Sequence, residues 1–476
     1  MKKKIECLAR ESNPGTSTRN NSSRNTSVAP CATNWNLRPI TIISSIPILL
    51  DSIVADKVYG LCIGKISDSQ HGAVRGRSTE SNLLLYTNYL ISVVHKSGQI
   101  DSVYVDFSKA YDKVNHVVLL HRLREFEVPE FIVKFIENYL FERKMIVKIN
   151  DSTSNEYLIP NGIPQGSHLG PILFIIFVNN ICSSIKHSKY WLFMDDLKFS
   201  YQIITPNDYL NLQEDINSVL KWAELNGMFL NMDKSVVISF TRSVFPLIAD
   251  YYLNDSKLNR VNKIKDLGIV FDCKLSFNDH INFITCKANR TWGFIWRNTK
   301  FFKNWKSVRI LYISLIRSIL LYGSSVWRPY TKNKIKLFEK IQHRVVRQLA
   351  YLDGKPMSRF NHVYDEHNKN FDLPTLESMF KISDCIYLYK IRNGIINCEE
   401  LKNKFTMNSY ESIRHKTPFI VPKRGNNYAS NEPIFRLSEL GNILVKKNQV
   451  LYNFDVNLDI AISLIKKQFV SYVEIK

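Results

Sequence analysis

The chain has 476 residues, 45% of them hydrophobic, and carries a formal net charge of +21. That apolar share excludes an intrinsically disordered protein, and the length allows more than one domain. The excess of Lys and Arg points to a polyanionic partner, nucleic acid before membrane, because no apolar run approaches the roughly 18 residues a spanning helix needs.

Eight cysteines form no Cys-x-x-Cys pair and no Cys/His spacing suited to zinc, so they read as reduced thiols of an intracellular protein. Met1-Lys2-Lys3-Lys4 leads into polar sequence and is no signal peptide; a basic start of this kind suits nuclear import.

Residues 1–34 are rich in Ser, Thr and Asn, lack periodicity, and read as a disordered leader, foreign in character to the rest of the chain. Order is expected from Trp35, with an apolar helix reaching about Tyr59. Gln70-His71-Gly72-Ala73-Val74-Arg75-Gly76-Arg77-Ser78-Thr79 then precedes a helix from Glu80 to about His95. Arg75 and Arg77 beside glycines could grip phosphates, since guanidinium forks match phosphate oxygens; a solvated basic loop is the equal alternative.

A strand is expected at Ser102–Asp106 and a helix over Lys113–Glu125 with Val117, Leu120 and Leu123 on one face. Short strands near Ile146–Ile149 and Glu156–Ile159 precede the Gly162–Gly166 loop, and a buried helix follows over Leu169–Ile181. Tyr190–Phe199 reads as two apolar strands around Asp195-Asp196, which places the two carboxylates at a hairpin tip. A helix over Pro206–Asn226 and a strand at Val236–Phe240 complete the order strand, helix, strand, strand, helix, strand. That order predicts an α+β fold with a split βαβ antiparallel sheet and helices on one face.

In such a sheet the first strand ends beside the central hairpin. Asp106 would then join Asp195 and Asp196 in an oxygen-rich site suited to Mg²⁺, the equipment of a two-metal nucleotidyl transferase. A solvated turn is the bland alternative for the Asp pair alone.

Downstream, Ile264–Phe271 reads as a strand pair with Gly268 at its turn. From Asn282 to Ala350 the pattern turns helical. Between Lys257 and Arg347 twenty Lys and Arg face four acids, Asp266, Asp272, Asp279 and Glu339. Trp292, Trp296, Phe301, Phe302, Trp305, Tyr312, Tyr322 and Trp327 are interleaved, mostly as core, in a region suited to holding a duplex by its phosphates. Leu376–Gly394 is helical, and the remainder is less legible.

With Asp106, the Gln165 loop and the Asp195 pair in this order, the chain resembles reverse transcriptases, above all those of jockey-like non-LTR (LINE-type) retrotransposons. Asp106-Phe107-Ser108-Lys109-Ala110-Tyr111-Asp112-Lys113-Val114 is similar to the first palm motif. Gly162-Ile163-Pro164-Gln165-Gly166-Ser167 with Leu169-Gly170-Pro171 is similar to the second, and Phe193-Met194-Asp195-Asp196 to the aromatic-x-Asp-Asp signature. Asn226-Gly227 through Lys234 and Leu267-Gly268-Ile269 resemble the later palm and primer-grip motifs. The likeness covers roughly residues 35–400.

The resemblance implies a right-hand polymerase that takes an RNA template, a DNA primer and dNTPs. Fingers would occupy 35–100, palm 101–245, primer grip 246–280, a basic helical thumb 281–355 and an extension 356–476. Asp106, Asp195 and Asp196 would hold two Mg²⁺ ions, with Mn²⁺ as a substitute. Tyr111 would lie under the incoming sugar and exclude a 2′-hydroxyl, or be a core aromatic, or both. Phe107, Gln165 and Gly166 would line the nucleotide face with Arg75 and Arg77. Lys234 would protonate the leaving pyrophosphate, or simply be solvated.

Departures accompany the likeness. Ala73 and Val74 stand where the family has Phe-Arg, Pro47-Ile48 where a small residue and Lys are common, and Asn180 where Asp is frequent. The chain has no room upstream for the family's endonuclease and no zinc knuckle downstream, the expected look of a truncated copy. Two rivals stand beside this reading: a non-catalytic nucleic-acid binder of the same descent, favoured by the altered fingers loop and disfavoured by the surviving Asp triad, and a telomerase or intron maturase, disfavoured by the second palm motif and the sequence after the thumb.

Overall fold

The structure, a computed structural model, describes residues 6–9, 39–149, 152–357, 364–408, 417–421, 427–447 and 456–471. In chain order its first nine strands are β1 (Glu6–Ala9), β2 (Pro39–Ile42), β3 (Gln99–Val105), β4 (Lys144–Ile149), β5 (Ser152–Thr153), β6 (Tyr157–Leu158), β7 (Lys189–Phe193), β8 (Asp196–Ile203) and β9 (Val236–Thr241). The first seven helices are α1 (Ser45–Cys62), α2 (Thr79–Val94), α3 (His116–Glu125), α4 (Glu130–Leu140), α5 (Leu169–Val178), α6 (Asp208–Leu225) and α7 (Asn278–Asn298). Residues group into two units: 1–67, 106–184 and 218–231 in the first, 68–105, 185–217 and 232–476 in the second. The stretch 35–100, expected as one module, is divided between them.

In the first unit α5 is apolar all round, Leu-Gly-Pro-Ile-Leu-Phe-Ile-Ile-Phe-Val, and a helix of that kind must be buried. Its start is capped from α1: buried Asp51 accepts the backbone N–H groups of His168 (2.5 Å) and Leu169 (3.2 Å). The α3 face differs by one position from the expected one. Asn115 caps the helix by accepting from Val117 N at 2.9 Å, and His116, Leu119, Leu120 and Leu123 turn inward while Val117 is exposed. Residue 117 lies about 100° around the helix from 116, which takes it off the face shared by 116, 119, 120 and 123.

The same unit corrects the reading of the leader at one point. Glu6–Ala9 is a strand, antiparallel to β2 and parallel to β4. Such pairing uses backbone N–H and C=O groups at a strand edge, so composition does not announce it. The other residues of 1–34 lie outside the described residues.

The second unit holds a five-stranded sheet in the order Asn259–Arg260, β9, β3, β8, β7. β3 is antiparallel to both β8 and β9, and β7 and β8 form the hairpin, which is the split βαβ arrangement of strands expected from the chain order. Helix α2 packs on this sheet through fully buried Tyr86, whose ring meets Trp191 of β7 at 5.0 Å, Tyr104 of β3 at 6.2 Å and Phe240 of β9 at 6.2 Å.

The helices beyond the sheet build one core with it. Trp292, Tyr312 and Trp327 are buried in that core, whereas Phe301 is 92% exposed and Phe302 is also exposed. Asp384 of the helix Leu376–Arg392 is fully buried between Arg328 (2.8 Å) and Arg436 (3.0 Å). Arg436 comes from the helix Pro433–Lys447, so part of the region that resisted sequence reading is held by a paired buried carboxylate. Among the described residues no helix is long and apolar enough to cross a membrane.

Candidate active site

Phe193 pairs with Asp196, so Met194 and Asp195 are the two residues of the β7–β8 turn. Met194 has φ 58°, a left-handed conformation that costs a non-glycine residue about 1 kcal/mol. Asp195 is half-buried and Asp196 exposed. Two residues into β8, Leu197 pairs with Val105, the last residue of β3. Asp106 is the next residue of the chain; its carbonyl accepts Asn231 N at 2.7 Å within the first unit.

The strained turn is buttressed by the segment before α2. Gln70 Oε1 accepts the backbone N–H of Gly72 (2.8 Å) and of Met194 (3.0 Å). Leu192 is bracketed on the same side: its N–H donates to Ser69 O and its O accepts His71 N, both at 2.9 Å, and Asn82 Nδ2 adds a bond at 3.0 Å. A Cβ on Gly72 would stand 2.5 Å from Met194 N, so glycine is required by close approach. His71 lies beneath, with Nδ1 at 2.7 Å from Ser81 Oγ, and burial lowers its pKa to about 3, helped by Arg77 and Lys198.

Asp195 and Asp196, two adjacent carboxylates with no His or Cys in their turn, offer hard oxygen donors of the kind that suits Mg²⁺ or Mn²⁺. Among the described residues no group of three or more His, Cys, Asp or Glu is gathered as a ready metal cage. Mg²⁺ needs none, since it binds through one or two carboxylates, waters and substrate phosphates.

In the first unit a cleft of about 410 Å³ is lined by Asp112, Lys113, Arg143, Gln165 and apolar residues of the 157–164 loop. Gln165 is held in it: Nε2 donates to Asp112 Oδ1 at 2.9 Å and its carbonyl accepts Thr41 N at 2.8 Å. Tyr111 is half-buried and lies flat on Phe174, centroids 4.7 Å apart and planes within 6°. Gly166 has φ 109°, open to glycine.

A family model described as reverse transcriptase (RNA-dependent DNA polymerase) matches residues 30–271. The chain belongs to that family. Its relatives include the probable RNA-directed DNA polymerase from transposon BS of Drosophila melanogaster, 25% identical over 340 residues, with 68% of this chain and 37% of that protein covered. The probable RNA-directed DNA polymerase from transposon X-element of the same fly is 23% identical, with 70% and 38% covered. The RNA-directed DNA polymerase from mobile element jockey of Drosophila funebris is 23% identical, with 66% and 35% covered. The motif-level resemblance to jockey-like elements thus has whole-region relatives behind it. The chain spans between 35% and 38% of the length of these relatives.

Two of the residues expected at the nucleotide meet partners within the protein. Phe107 is 5% exposed, packed edge-on against Trp222 and bridged to Leu230. Arg77 is committed to the Asp68 carboxylate (2.7 Å) and to the carbonyls of Asp68 (3.0 Å), Gln70 (2.9 Å) and Asn397 (3.2 Å). That bonding ties down the loop and accounts for the residue without a phosphate. Arg75 and Lys234 are exposed. Asn180, in a position where the family often has Asp, accepts Trp222 Nε1 at 2.9 Å. Gln70 escaped the sequence reading: it was visible only as the head of a basic loop, with no local signal of its partner.

Proposed function

We propose that this chain is an RNA-directed DNA polymerase that extends a DNA primer on an RNA template by two-metal nucleotidyl transfer. The observation that carries the reading is the pairing of β3 with β8, Val105 opposite Leu197, with Asp106 and Asp196 their chain neighbours. Asp106, Asp195 and Asp196 would hold the two ions. Bound there, Mg²⁺ would lower the pKa of the primer hydroxyl and neutralise charge on the triphosphate.

The chain's own side chains do the rest. Tyr111, kept flat by Phe174, presents a rigid ring under the sugar, so exclusion of a 2′-hydroxyl is steric. Gln165, oriented by Asp112, lines the nucleotide and template face with Gly166. Arg75 grips phosphates, and Lys234 supplies a proton to the departing pyrophosphate. The 35–100, 101–245 and 281–355 segments serve as fingers, palm and thumb, and the basic run from Lys257 to Arg347 holds the duplex through its phosphates.

The test is primer extension by the purified chain on an RNA template with dNTPs and Mg²⁺ or Mn²⁺. Extension that stops on chelation is expected. Tight duplex binding with no extension under either ion would overturn the polymerase reading in favour of a non-catalytic nucleic-acid binder.

A further inference from the structure

Lys198 is an anomaly of strand β8. It lies two residues beyond Asp196, on the same strand face by the alternation of side chains, yet its ammonium is buried, 4% exposed. It pairs with the carboxylate of Asp266, itself 7% exposed, and sits 4.7 Å from the centre of the Tyr86 ring. Tyr104 OH donates to Tyr86 OH at 3.0 Å beside it.

Asp266 belongs to a second hairpin, Lys263–Asp266 paired with Ile269–Asp272. Its turn is Leu267-Gly268, with φ 43° and 92°, and the leucine is strained there. The turn is clamped from outside: Tyr322 OH donates to Leu267 O at 2.9 Å, and Thr79 Oγ1 is 3.0 Å from the same hydroxyl. A Cβ on Gly268 would stand 3.0 Å from the Tyr322 ring. So the hairpin is pinned at its tip by Tyr322 and at its strand by Lys198.

We propose that the buried Lys198–Asp266 pair is a positioning device that locks the Lys263–Asp272 hairpin to the strand carrying Asp196, so that the hairpin and the Asp195-Asp196 turn keep one spatial register. A well-packed apolar pair of similar size would stabilise the fold equally well, as buried ion pairs commonly allow, but would not fix the direction of the hairpin. The functional half of the inference rests on the polymerase reading; the structural half does not.

Either single truncation would strand a buried charge and unfold the protein, so the test uses Lys198→Met/Asp266→Leu. Its melting temperature is expected within a few degrees of the parent. Amides of 263–272 should exchange with deuterium at least about tenfold faster, a change of about 1.4 kcal/mol in opening. The single-turnover extension rate should fall at least about tenfold with burst amplitude and primer–template Kd unchanged. Should that variant fail to fold, Lys198→Gln/Asp266→Asn takes its place under the same readings.

Unchanged exchange across the hairpin in a folded variant overturns the proposal whatever the enzyme does. Faster exchange with a parental extension rate removes the positioning role. A parent that extends no primer defeats the polymerase reading alone, and the exchange result still decides the tie.

Discussion

The side-chain oxygen of Gln70 accepts the backbone N–H of Met194 at 3.0 Å, fixing the left-handed residue that precedes Asp195. A conformation that Met disfavours is thereby held from a distant part of the chain, and the direction of the carboxylate turn depends on it. Gln70→Ala leaves two N–H groups, of Gly72 and Met194, without that acceptor, at a cost of about 1–3 kcal/mol if one remains buried and unpaired. Single-turnover extension is expected to slow at least about tenfold while duplex affinity holds. A thermal melt run in parallel separates the two effects; a parental rate would show that the turn holds itself.

Asp195→Asn removes a charge without changing shape. Extension should be abolished and duplex binding kept, because ion binding depends on the carboxylate and phosphate contacts do not. Activity within about tenfold of the parent, a barrier change of only about 1.4 kcal/mol, would falsify the ligand assignment.

Tyr111→Ala removes the ring that lies on Phe174. Discrimination of dNTP from rNTP in kcat/KM should relax by at least about tenfold, or about 1.4 kcal/mol. Tyr111→Phe keeps the ring and should keep the discrimination. A folded, active Ala variant that still rejects rNTPs would show Tyr111 to be core alone.

Duplex affinity should fall steeply with salt. For about six phosphate contacts the log–log slope is near roughly −5, and a filter-binding series across salt concentrations measures it. A slope shallower than about −2 implies only about two contacts and removes the basic region from the binding surface.

Among the described residues three histidines are buried, His71, His116 and His280, and burial lowers the pKa of each, by a large step for His71 and His280. Burial lowers His71 to about 3 and His280 to about 4, so both stay neutral in the fold. The unfolded chain protonates them below about 6.5, and it therefore takes up protons that the folded chain refuses. Their contribution is whole above about pH 6.5 and is lost as pH falls; at pH 5 each destabilises by roughly 2 kcal/mol. Urea titrations at pH 7 and 5 should show the loss, and His71→Gln/His280→Gln should reduce it by most of that amount. Equal midpoints for the parent at the two pH values would contradict this account.

What the sequence determined by itself was whatever depends on near neighbours. The apolar, aromatic flanks of Asp195-Asp196 specify strands and leave the carboxylates at the turn, and the order of helices and strands restricts the sheet to a central β3 between β8 and β9. Even Arg77 and Phe107 were legible as residues of note. Their partners within the fold were not, because a guanidinium can bond any of several carbonyls and a phenyl ring can pack on any of several apolar neighbours.

Tertiary structure alone decided the partners that come from far along the chain: Gln70 with Met194, Asp51 with the start of α5, Lys198 with Asp266. Periodicity reports which way a side chain points relative to its own backbone, and in that light Lys198 is an ordinary polar residue of a strand. Whether it meets water or a buried carboxylate depends on which hairpin closes over it, and a low-dielectric interior turns that choice into a bound pair instead of a solvated charge.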